Sequence, residues 1–120
     1  MDKDPTAQHW LMKATGVLAR VTCAELRFSA AMNVNDVTML AAADELEVAT
    51  REAMVWTTAN ACPDLEVAGR VLLMLRTCAE VALTGQWAIT DPGVETTEVI
   101  KRLGDLLAII DFHWQTLDAW

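Results

Sequence analysis

Apolar residues recur along this chain at alternating steps of three and four in four separate stretches, and no stretch holds a convincing step of two. That rhythm stacks side chains on one face of a helix, whereas the same spacing on a strand would scatter them over both faces of a sheet. An all-α fold follows. The first stripe is Trp10, Ala14, Val17, Val21, Ala24 and Phe28, widened by Leu11 and Leu18. The second is Met39, Ala42, Leu46, Ala49, Ala53 and Trp56, with three alanines that let a neighbouring helix approach closely. Leu65, Ala68, Leu72, Leu75, Ala79 and Ala82 form the third, and Ile100, Leu103, Leu107, Ile110, Trp114 and Leu117 the fourth.

Punctuation places the ends of these helices. Asp4-Pro5 and Asp91-Pro92 each supply a capping carboxylate followed by a ring already set for a first helical turn. Asn33 to Asp36 reads as a loop closing on a cap, Cys62-Pro63-Asp64 breaks and restarts the pattern, and Gly85 is expected to stop the third helix. The expected helices cover 5–31, 36–61, 63–84 and 92–119, with 86–90 open between helix extension and ordered loop. Their short connections predict one domain of 120 residues, an up-down-up-down four-helix bundle with the first helix beside the second and fourth. Residues 36–61 and 86–120 each carry a net charge of −4, so the two acidic helices are expected at opposite corners. Lys13, Arg20 and Arg27 would then lie between them.

Charge removes several classes of partner. Seventeen acids against nine bases give −8 at pH 7, the wrong sign for following a phosphate backbone or an anionic leaflet, so neither direct nucleic-acid nor membrane binding is expected. The longest apolar runs, such as 71–75 and 106–110, are too short to span a bilayer. The N-terminus shows no secretory pattern, and three cysteines without a C-x-x-C spacing suit a reducing compartment; a cytoplasmic location is expected.

Chemistry-bearing patterns are sparse. With a single serine and five scattered glycines, neither a nucleophile elbow nor a phosphate-cradling loop can be written. The topology brings His9, His113, Cys62, Asp64 and Asp111 toward one bundle end, yet no spacing sets two metal ligands on one helix face. No metal, cofactor or enzymatic activity is expected. Cys78, in an apolar row, would be a poor nucleophile, while a helix start near Cys62 could lower its pKa.

Two features point to binding instead. The third helix carries a second apolar row of Val67, Val71, Met74, Cys78 and Val81, with Leu73 interrupting its polar remainder, and the fourth adds Val99, Leu106, Ile109 and Trp120 beside its stripe. This surplus predicts a non-enzymatic acidic interaction protein, an adaptor, accessory or inhibitor. Its expected contact strip for a protein partner or homodimer is Val67, Val71, Leu73, Met74, Leu106 and Ile109. An inhibitor of this kind would set its carboxylates against a basic surface. The alternative is a small-molecule site: Trp10, Trp56 and Trp114 fall at one bundle end opposite Ala68, where an aromatic pocket with His113 would form.

Overall fold

The computed structural model describes residues 5–32, 34–87, 89 and 93–116. Four helices account for nearly all of them: α1 (Pro5–Ala31), α2 (Asp36–Ala59), α3 (Leu65–Trp87) and α4 (Val94–Thr116). They pack against one another as an elongated all-α bundle measuring 53 × 26 × 20 Å. No helix among the described residues is long and apolar enough to cross a membrane. The start signals at Asp4 and at Asp91-Pro92, and the expected roles of Leu117 and Trp120, lie outside the described residues.

Local chemistry explains the inner boundaries. Asn35, in extended backbone at φ −164° and ψ 169°, accepts at its side-chain oxygen from Thr38 N at 2.8 Å and so caps α2. At α3 the same task falls to Asp64, whose Oδ1 accepts from Glu66 N and Val67 N at 2.9 and 3.2 Å, so the helix begins at Leu65 rather than at residue 63. Gly85 does not stop α3. The helix runs on to Trp87, and a methyl group at position 85 would come within 2.5 Å of Phe28 Cζ: glycine is required there by the close approach of a buried ring from α1.

The helices meet in an offset arrangement. α2 and α3 form the central pair; α1 lies against α2 with a lighter contact to α3, and α4 lies against α3 and α2, while α1 and α4 barely touch. Along α1 and α2, Trp10 stacks with Trp56, Arg20 pairs with Glu52 and Arg27 with Glu45, so these two helices run antiparallel. The expected contact between the first and fourth helices is therefore corrected. So is the placing of the acidic helices at opposite corners, because Arg102 of α4 lies 2.6 Å from the Asp44 carboxylate of α2, and Arg51 donates to the Arg102 carbonyl at 3.2 Å.

This offset decides which rows are buried. α2, with three neighbours, buries Ala43, Glu47, Thr50 and Met54 in addition to Met39, Ala42, Leu46 and Ala53. On α3, Val71 and Cys78 of the second row are buried, because α1 reaches over to cover that flank. The buried stripe of α4 is Val99, Leu103, Leu106 and Ile110, turned away from the expected Ile100, Leu107 and Trp114, since α4 must face α2 as well as α3. Phe28, Leu46, Leu75, Leu103, Leu106 and Ile110 are fully enclosed, each contributing about 1.5–3 kcal/mol of transfer free energy.

Candidate functional site

A partly enclosed recess lies where the beginning of α1, the ends of α2 and α4, and the beginning of α3 converge. Its walls are Trp10 of α1, Met54, Thr57 and Thr58 of α2, Ala61 and Cys62 of the connection, Ala68, Val71 and Leu72 of α3, and His113 of α4. The enclosed space is about 110 Å³. Although α1 and α4 do not pack along their lengths, Trp10 of one and His113 of the other both reach this recess.

The wall is held rigidly. The Trp10 indole N–H donates to the Asn60 carbonyl just beyond α2, and its ring meets that of Trp56 at 5.4 Å between centroids with a 54° tilt. Asn60 in turn closes α2 by donating from its backbone and its side-chain amide to the Trp56 carbonyl, each at 2.9 Å. Thr57 and Thr58 both turn their hydroxyls back to the Met54 carbonyl, at 3.0 and 2.8 Å. Burial raises the Cys62 thiol pKa above its ordinary value, and the neighbouring Asp64 charge adds to the rise; hydrogen bonds from the α3 start only moderate it. The lowering that a nearby helix start could bring is outweighed, since desolvation is the larger effect. Cys78 is pushed up to about 11 by burial, with the Glu25 charge reinforcing it.

The tryptophan layer assembles only in part. Trp10 and His113 line the recess, as does Ala68, but Trp56 stands behind Trp10 and faces a separate shallow groove with His9, Lys13 and Pro63. Trp114 is 43% exposed and belongs to neither, because the α4 stripe is rotated. Among the described residues no three His, Cys, Asp or Glu side chains converge in a way that could hold a metal ion.

The expected contact strip is likewise divided. Val71 and Leu106 are buried and belong to the bundle itself, a correction that follows from the contact of α3 with α1 and of α4 with α2. Val67 and Met74 are half-buried against the core, and Leu73 stands 53% exposed on the outer face of α3. Ile109 is 40% exposed and lies across a groove from Val55 of α2, floored by Met54 and Leu106 and flanked by Arg51. Sequence reasoning missed Val55, which is 65% exposed. Its signal was available: it lies seven residues after Val48 on the polar side of α2, and both are exposed.

Seven ion pairs engage six arginines. Arg20, Arg27, Arg51, Arg70, Arg76 and Arg102 all pair with acids of the same chain, Arg76 with both Glu80 and Asp111. Most are half-exposed and contribute about 0–1 kcal/mol each. The exception is Glu47, 2% exposed and paired with Arg51 at 3.2 Å. Comparison with family models, curated proteins and solved structures finds no match to this chain.

Proposed function

We propose that this chain is a non-enzymatic, acidic, cytoplasmic interaction protein, an up-down-up-down bundle that uses apolar side chains outside its core to hold a second copy or a protein partner. The alternating topology is supported by the antiparallel pairing of α1 with α2 and by the convergence of both ends of the chain's helices around one recess. The observation that carries the function is the α2–α4 groove, where Val55 and Ile109 stand exposed on opposite walls above an apolar floor. An exposed apolar pair flanking a groove loses water-ordering surface when a partner covers it. The three unbridged thiols support the cytoplasmic reading.

Charge narrows the partner. With the arginines engaged inside the chain, Glu25, Asp36, Glu95, Glu98 and Asp105 remain without an ion-pair partner among the described residues. Where the partner is a different protein, a neutral or basic opposing surface suits this bundle better than an acidic one. The test is the mass in solution over a range of concentrations. The unmodified chain and the Leu73→Glu variant are expected to rise from 13.2 kDa toward twice that value, while Val55→Glu and Ile109→Glu stay at 13.2 kDa. An unmodified chain that remains at the single-chain mass throughout overturns self-association, and a dimer that survives Ile109→Glu overturns this face.

A further inference from the structure

We propose that the recess beneath Trp10 is a binding site for a compact, uncharged, apolar molecule of about the size of a single aromatic ring. This goes beyond the interaction reading and rests on different walls from the Val55–Ile109 groove, although Met54 and Thr58 border both.

Size is the first constraint. The space of about 110 Å³ is well below the several hundred Å³ of a drug-sized pocket. It is of the order of the ~150 Å³ apolar cavity known to stay dry and take up benzene. The recess is partly open, so a small molecule has a path in without unfolding a helix.

Polarity is the second. The side-chain donors of Trp10, Thr57 and Thr58 are already committed elsewhere. The Trp10 N–H is given to Asn60 O, and the Thr57 and Thr58 hydroxyls are given to Met54 O. Met54, Ala68, Val71 and Leu72 complete an apolar lining, and the Cys62 thiol is held in its neutral form by burial. A charged or strongly polar ligand would surrender its hydration and find little but the His113 ring in return. Water is disfavoured for the same reason, since a buried water needs two to four polar partners. An apolar ring meets none of these costs, contacts the Trp10 ring, and leaves the flexible Met54 thioether to adjust to its outline.

The experiment uses the full chain with benzene and benzoate as probes, followed by methyl NMR and by thermal unfolding. Benzene is expected to bind saturably at one molecule per chain, to raise the unfolding temperature with concentration, and to shift the methyl signals of Met54, Val71 and Leu72. Benzoate should bind at least tenfold more weakly. Ala68→Leu places three further carbons in the recess and should weaken benzene binding at least tenfold. Absence of a saturable response to benzene, equal binding of benzoate, or undiminished binding by a folded Ala68→Leu protein overturns the proposal. The NMR map keeps it falsifiable should that variant not fold: shifts centred on Val55 and Ile109 in the unmodified chain place the ligand in the other groove and refute the site.

Discussion

Replacing Gly85 by alanine should destabilise this protein, although the same replacement in an unobstructed helix does the opposite. Gly85 lies within α3, where a methyl group normally gains about 0.5–1 kcal/mol over glycine by restricting the unfolded chain and favouring the helix. Here the new Cβ would sit 2.5 Å from Phe28 Cζ, with Cε2 and Cε1 at 3.3 and 3.4 Å. Phe28 is completely buried, so its ring has no solvent-filled space to retreat into. Forcing a methyl group into such a contact costs about 1–3 kcal/mol, which against the propensity gain leaves a net loss of up to about 2.5 kcal/mol. Gly104 of α4 supplies the matched control, since a Cβ there meets nothing within 4 Å. Gly104→Ala should raise stability by about 0.5–1 kcal/mol. Urea unfolding at constant slope reads both changes as midpoint shifts of opposite sign. Equal stabilisation by the two alanines would refute the close approach of α1 to α3, and with it the explanation of why this glycine sits inside a helix. As an internal check, Phe28→Leu should remove the penalty of Gly85→Ala, giving a double variant no less stable than Phe28→Leu alone.

Two further outcomes follow from buried ionisable groups. Arg51→Ala should cost about 3 kcal/mol in urea unfolding, because it strands the Glu47 carboxylate in the interior, whereas the double variant Glu47→Leu with Arg51→Leu should return to within about 1 kcal/mol of the unmodified chain; a single-variant loss below about 1 kcal/mol would show that Glu47 reaches water. Cys78 adds a pH dependence: its folded pKa of about 11 lies above the ordinary 9.0, so the unfolded chain releases the proton first and stability falls as pH rises from about 9 to about 11, by up to about 3 kcal/mol. Below pH 9 both states hold the proton and the contribution is constant. The stability difference between the unmodified chain and Cys78→Ala should therefore shrink over that window, and a difference that stays level would refute burial of the thiol.

Much of the local structure was legible because it is written in short-range chemistry. The three-four rhythm needs only the helical repeat to be read, and the caps at Asn35 and Asp64 act on backbone groups two or three residues away. Gly85 shows where that reading fails. As a local symbol it means helix end; its actual cause is a ring fifty-seven residues distant in sequence, invisible to any neighbour rule. The site was legible to a similar depth. Alternating directions bring Trp10, Ala68 and His113 to one end, as their distances from the helix ends imply. Trp114 was misplaced because the phase of α4 depends on how many helices it must face.

Sequence alone therefore determined that four amphipathic helices form, that the first ends at Ala31 and the second begins at Asp36, and that the net charge is acidic, since each depends on the order of neighbouring residues or on their sum. Tertiary structure decided the offset of the bundle. A surplus apolar row satisfies its periodicity equally well against a third helix, a second molecule or water, and only the packing of α2 and α3 between α1 and α4 selects among them. That choice buried Val71 and Leu106, left Val55 and Ile109 outside, and opened the recess beneath Trp10.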